Sequence, residues 1–487
     1  GGAGFYALNA TGGGLYSNGS VVTAKTSGWA TGDIIGLAYD ADNSTLGVYQ
    51  NNSQIGSNLT VPDASNFPVY FQNSAGGDSS SVIYNFGQDS SFAGNHATAN
   101  SNADGNGHGS FAYAPPSGFL ALCSQNLPEP TIVDGSTAFN TVLYTGDGAS
   151  SKSITGVGFS SAPDLVWVKN RASTYDHALM DSVRGASAAY LSSNSTASES
   201  TYGNIYGDFT SFDSDGFSVA EGTDGTYPDA AFNQSSEAYV AWNWLAGTAF
   251  SNDASATGVG TIDSSGQVNT KAGFSIVGFE GSGSNATIAH GLSAAPEMII
   301  VKNRENASGL WLVYHAGIAS DAATDYLHLE ATSAAADDNS AWNDTAPTSS
   351  VFSVGTSVAA NQSGKDHIAY CFHSVEGYSK VGSYIGNGNA DGPFVFTGFR
   401  PAWVMWKRSD STGPWGIFDS TRDTDNTVGQ QLSANASDAE GTTTSNNSDF
   451  LSNGFKMRGS ATNSNASGGT YIYLAFAESP FKFANAR

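Results

Sequence analysis

The sequence predicts an all-β protein made of tandem β-sandwiches. Three observations carry this. Apolar runs are short, rich in Val, Ile, Tyr, Phe and Trp, and separated by Gly, Asn, Asp or Ser clusters. No segment reads as a convincing amphipathic helix. One unit recurs three times along the 487 residues, a length that exceeds a single core.

Residues 1–131 lack the unit and form a first domain. Gly32 to Gly56 reads GDIIGLAYDADNSTLGVYQNNSQIG. A strand, an acidic turn at Asp40 to Asn43, a second strand and a further turn are expected, which makes a hairpin. FPVYF (Phe67 to Phe71) and VIYNFGQDSSF (Val82 to Phe92) continue the strand pattern. Asp40, Asp42 and Asn43 alternate oxygens as calcium sites do, but a solvated hairpin turn is the simpler reading. GFLALCSQNLPEP (Gly118 to Pro130) closes the region, and its prolines mark the boundary.

The three copies span 132–247, 272–377 and 378–487. Each opens with an aromatic run into a G-x-G turn, at Gly146/Gly148, Gly281/Gly283 and Gly386/Gly388. No helix follows, so these are strand turns and not phosphate cradles. A proline and an apolar run ending in a cation come next: PDLVWVKNR (Pro163 to Arg171), PEMIIVKNR (Pro296 to Arg304) and PAWVMWKRS (Pro401 to Ser409). The unit closes on a strand with one large face, Val240, Trp242 and Trp244 in the first copy, and one small face. Ile368, Tyr370 and Phe372, then Ile472, Leu474 and Phe476, repeat the pattern, which suits an inner strand of a two-sheet sandwich. A unit of about 105 residues is long enough to carry its own core. Residues 248–271, rich in Ser, Gly and Thr, read as a linker.

Asp and Glu outnumber Lys and Arg by 43 to 18, for a net charge of −25. That surface repels nucleic acid and anionic membranes, so neither is an expected partner. No apolar run reaches the length of a membrane span. The chain opens GGAGF, without Met or a signal peptide, and its start is expected elsewhere. Cys123 and Cys371 are far apart, show no zinc spacing, and read as buried small apolar residues.

No nucleophile elbow, Walker loop or H-E-x-x-H occurs. His290, His315, His367 and His373 share one copy without metal-ligand spacing, and are expected as surface or strand residues. Nothing marks a catalytic pair among the 43 acidic residues. The expectation is a non-enzyme with no metal or cofactor. The candidate site is instead basic: Lys169, Arg171, Lys302, Arg304, Lys407 and Arg408. Residues two apart share a strand face. These cations are expected to neutralise acids at a sandwich edge, with a ligand-binding patch as the alternative. Asp181 and Asp419, twelve residues after Lys169 and Lys407, are the expected partners, with His315 near the same place in the middle copy. Trp29, Trp311, Trp342 and Trp415 are the candidates for exposed, sugar-binding rings, set against core packing. Trp167, Trp242, Trp244, Trp403 and Trp406 read as core or interface.

Gly32-Asp33-Ile34-Ile35-Gly36, Asp40, Asn51 and Asn85-Phe86-Gly87-Gln88 with Phe92 resemble the second half of a SPRY domain, a concanavalin-like sandwich. Such a domain has several strands before the Gly32 segment, and 31 residues precede it here. The whole arrangement, ending GGTYIYLAFAESPFKFANAR, resembles the C-terminal part of fibre-like structural proteins of tailed, notably marine, phages. That resemblance implies an extracellular position on the virion surface and contact with a host glycan or protein. It also implies a homotrimer joined to other virion proteins through an upstream region. A bacterial adhesin or filament subunit, a purely structural decoration protein and a polysaccharide depolymerase are the alternatives.

Overall fold

The structure, a computed structural model, describes residues 6–8, 15–17, 20–23, 30–60, 83–96, 100–186, 188–199, 204–306 and 309–482. Contacts divide the chain into two units, Gly1–Pro128 and Glu129–Arg487. In the first unit Tyr6–Leu8, Leu15–Ser17 and Ser20–Thr23 pair in sequence order. The hairpin forms from Ile35–Asp40 and Thr45–Gln50, with Val48, Ile55 and Leu59 as a small core. Asp40 accepts from the backbone N–H and side-chain amide of Asn43, so the turn itself uses its oxygens. Asp33 accepts from the Gln50 and Asn51 amides, and Asn85 Oδ1 accepts from Gly87 N and Asp89 N. The expected strand Phe67 to Phe71, and Val82, lie outside the described residues.

The second unit is antiparallel in its strand ladders, as expected of an all-β sandwich chain, and the α-helices that lie wholly among the described residues are single turns of four residues. Among the described residues no helix is long and apolar enough to cross a membrane. The opening strands of the three copies are Phe139–Thr145, Phe274–Glu280 and Ser379–Ile385. The basic strands are Leu165–Asn170, Met298–Asn303 and Phe399–Arg408. Return strands follow at Ala178–Asp181, Trp311–His315 and Trp415–Asp419. Ala238–Trp244, Asp366–Phe372 and Thr470–Pro480 close the copies. In every copy the larger sheet contains the order return, basic, closing, opening. A smaller sheet completes each sandwich, in which Ser151–Thr155, Ala286–Ala289 and Phe394–Phe396 pair with Gly216–Ala220, Val351–Val354 and Gly454–Met457.

The G-x-G turns have a steric cause. A Cβ on Gly146, Gly281 or Gly386 would collide with a backbone oxygen of Gln234, Gln362 or Ala466. The second glycines, Gly148, Gly283 and Gly388, have φ of +65°, +71° and +70°, the left-handed region that glycine enters without steric cost.

The basic and closing strands are buried on both faces, and the two faces have different destinations. Val166, Val168 and Ala241 pack inside the first sandwich; Ile299, Val301 and Ala369 inside the second; Val404, Trp406 and Ala475 inside the third. The opposite faces, including Trp167, Trp242, Ile300, Tyr370, Trp403 and Leu474, meet in one core shared by all three copies. One face of the closing strand thus covers the neighbouring copies, and the other, small at Ala241 and Ala369 but carrying Tyr471 and Tyr473 in the third copy, covers the partner sheet. Each copy has its own core, as its length implies, but the largest core belongs to none of them alone. At the centre this core leaves an apolar void of about 10 Å³ lined by residues of all three copies, among them Leu165, Ile300 and Met405. That is about the room one water requires, so side chains fill the centre.

The stretch read as a linker is part of the second sheet. Thr248–Asn252 and Ser264–Asn269 pair with each other, and the latter pairs with the opening strand Phe274–Glu280. Its polar composition suits strands at a sheet edge, where part of the surface stays wet. Phe250, Ile262 and Val268 supply its apolar contacts to the second sandwich.

Candidate functional site

Five of the six candidate cations lie at the junctions between copies, and Arg408 pairs within its own copy. Lys169, Lys302 and Lys407 end the row of residues that faces the shared core, and all three are fully buried. Burial pulls each ammonium down to about 8. Backbone carbonyls surround them. Lys302 Nζ donates to Gly309 O and, at 2.9 Å, to Thr196 O of the preceding copy. Lys407 Nζ donates to Arg408 O and to Thr332 O, again of the preceding copy. Lys169 Nζ donates to Asn170 O and Ser173 O. An ammonium has three donors and no acceptor, so carbonyl groups can satisfy it without a counter-ion.

The junctions repeat cyclically. Glu199 N donates to Arg304 O, Ala335 N to Ser409 O and Glu440 N to Arg171 O, at 2.7, 2.8 and 2.8 Å. These join copy 1 to 2, 2 to 3 and 3 to 1, which closes a pseudo-threefold ring. Trp311 Nε1 donates to Ser192 O and Trp415 Nε1 to His328 O. In the first copy His177 takes the indole position, with Nε2 3.0 Å from Ser433 O. Trp167 Nε1 donates to His177 Nδ1, so the proton of the neutral ring is on Nε2. Burial holds this imidazole down to about 3.

Two junctions carry a buried ionic chain. Asp181 holds Arg184 at 2.6 Å, and Glu199 links Arg184 to Arg304. Asp419 holds Arg422 at 2.5 Å, and Glu440 links Arg422 to Arg171. The neighbouring copy adds a donor to each aspartate: Tyr370 Oη to Asp181 and Trp242 Nε1 to Asp419. In the remaining junction His315 replaces the aspartate, with Nε2 3.1 Å from Tyr473 O.

These contacts correct the expected partnership of Lys169 with Asp181 and Lys407 with Asp419. The strands do pair antiparallel, but the register sets Leu165 opposite Asp181 and Trp403 opposite Asp419. Each aspartate is therefore four residues along the strand from its lysine, roughly 13 Å at the usual rise. Arg171 and Arg304 find carboxylates of a neighbouring copy instead, while Arg408 pairs locally with Asp410. The six cations do not form one open patch.

The candidates for exposed rings are corrected too. Trp311, Trp342 and Trp415 are 0%, 2% and 1% exposed. Trp311 and Trp415 serve as junction donors, and Trp342 packs inside the second sandwich. Trp29 lies outside the described residues. His290, His315, His367 and His373 are all buried, not at the surface, and only His315 and His367 of these four lie on strands. Cys371 is buried, its thiol raised to about 12 by burial, whereas Cys123 is only partly buried.

The sequence carries further signals for this region that spacing between lysines and aspartates does not use. DSVR (Asp181 to Arg184) and DSTR (Asp419 to Arg422) are the same Asp-x-x-Arg, which on one tight turn returns the arginine to its aspartate. Asn233, Asn361 and Asn465 each stand six residues before a closing-strand Tyr or His. Fully buried, they accept from the middle residue of the G-x-G turn, at Asp147, Ser282 and Asn387.

No curated protein and no solved structure shows significant similarity to the chain. Residues 134–480, which take in all three junctions and all of the shared core except Ile132, match the family model of a domain of unknown function, DUF7483. The chain therefore belongs to the DUF7483 family.

Proposed function

We propose that the chain is a non-enzymatic fibre or appendage protein of a tailed phage, displayed on the virion and contacting a glycan or protein of the host surface. The observation that carries this reading is the closed ring of three like sandwiches within one chain. Such a ring fits the threefold symmetry that the fibre resemblance implies. The ring places scarce cations at buried junctions, leaving an acidic, neutral-polar surface suited to an extracellular setting. The SPRY resemblance adds to it, with Asp33, Asn51 and Asn85 as turn clamps in the first unit.

The aromatics on the shared-core face of the basic and closing strands lie inside the chain, whereas Phe394 and Phe396 on the smaller sheet of the third copy are exposed, so support for a homotrimer comes mainly from the fibre resemblance. Mass photometry distinguishes one chain from three. Antiserum raised against the chain should label appendages of phage particles from the source culture by electron microscopy. Labelling of the bacterial envelope without particles would overturn the reading in favour of an adhesin. Release of reducing ends from host polysaccharide would overturn it in favour of a depolymerase.

A further inference from the structure

Internal repetition singles out one position of the third copy. The residue after the proline that precedes each basic run is Asp164, Glu297 and Ala402 in turn. All three accept through their backbone carbonyls from the same place beyond the return strand, at Ser182 N, Ala316 N and Ser420 N. Their side chains differ. Asp164 accepts from the Ser182 hydroxyl at 2.6 Å and from the backbone of Ala246 and Gly247. Glu297 accepts from Ser374 N at 2.6 Å. Ala402 has no carboxylate, and Ser420 keeps the hydroxyl whose counterpart, Ser182, binds one.

The result is a cleft of about 240 Å³ where copy 3 meets copy 1. Phe139, Ala402 and Ala477 supply its apolar wall; Ser420, Thr421 and Glu478 supply polar groups. Glu478 is held in place by Arg400, at 2.9 Å. The volume is below the ~300–1,000 Å³ of sites for drug-sized molecules, which restricts an occupant to about one ring. A hydroxyl is the group that suits both polar walls, since it accepts from Ser420 and donates to Glu478. A free carboxylate would meet Glu478 and the net charge of −25.

We propose that this cleft binds one neutral sugar ring, through hydroxyl groups that occupy the place of the Asp164 carboxylate. The proposal rests on the host-surface reading for its biological meaning, but the two fail separately. The test is ligand-observed NMR on the whole chain with glucose, galactose, mannose and N-acetylglucosamine, and with acetate and glucuronate as the anionic arm. At least one neutral sugar should show saturation transfer. Ala402→Asp and the uncharged Ala402→Asn refill the cleft and should abolish it. Ser420→Ala should weaken binding by about ten-fold, the loss expected for one hydrogen bond. No transfer to any neutral sugar, equal transfer in folded Ala402→Asn protein, or preference for acetate would overturn the proposal. Host cells that bind the wild type while no neutral sugar does would remove the cleft and leave attachment standing. Sugar transfer lost in Ala402→Asn, with no cell binding by the wild type, would leave the cleft standing and remove attachment.

Discussion

The junction of copies 2 and 3 shares a backbone design with the other two junctions and differs from them in charge. All three have the same inter-copy amide-to-carbonyl bond and the same ring-nitrogen contact to a backbone carbonyl of the neighbouring copy. Two add Asp-Arg-Glu-Arg chains, through Asp181, Arg184, Glu199 and Arg304, and through Asp419, Arg422, Glu440 and Arg171. The third has His315, Ile318, Ala335 and Ser409 at those places, so every charge of the chain is gone at once. Backbone and ring-nitrogen bonds therefore define the junction, and the ions are an all-or-none addition. A lone buried charge costs more than a missing pair, which explains why no junction is half-ionised.

The largest test breaks one ionic chain. Arg422→Leu strands buried Asp419 and should destabilise the chain by about 3–5 kcal/mol in urea unfolding. Asp181→His with Arg184→Ile, which copies the neutral junction, should cost clearly less than Arg184→Ile alone. Equal losses would show that the pair does not act as a unit. At the more exposed end of the chain, Glu199→Ala with Arg304→Ser should cost about 1.5–3 kcal/mol, the range for charged hydrogen bonds.

Acid should separate the junctions next. His177 and His315 are held down to about 3 and about 4 by burial, against an ordinary value of 6.5. Each folded value is depressed, so the unfolded chain takes up protons first as pH falls. Their contribution is whole above 6.5 and is lost progressively from 6.5 towards the folded values. Hydrogen exchange between pH 6.5 and 5 should rise at the 2/3 and 3/1 junctions before the 1/2 junction, where neither histidine sits. His315→Gln should flatten the response at 2/3.

The effect of alkali runs the other way. The buried lysines are pulled down to about 8 from 10.5. Below 8 the cost of burying the ammonium is present in full, and rising pH through the interval to 10.5 relieves it. Stability should therefore gain from pH 8 until tyrosine ionisation opposes it. Lys302→Met should remove about one third of that slope, as one of three like sites; an unchanged slope would place the titration elsewhere.

The strands and the threefold repetition were legible because period-two alternation and turn glycines are local signals. The G-x-G turns, the hairpin at Ile35–Asp40 and the two-faced closing strands all follow from them. The linker reading failed at Thr248–Asn252 because a polar edge strand resembles a loop in composition. Trp311 and Trp415 look exposable because each begins its strand beside a turn, yet the indole of each is bound by a backbone carbonyl of a different copy.

By itself the sequence determined that residues 132–487 carry three like β units, each with an apolar run ending in a lysine. Only the tertiary structure decided what faces those lysines. Partner choice at a junction depends on which loop of another copy closes over the strand end, and on a strand register that moves an aspartate to the far end of its hairpin. Neither is encoded by spacing within a copy. The pairing of Arg171 with Glu440 across 269 residues shows the reason: ring closure brings together positions that no local pattern connects.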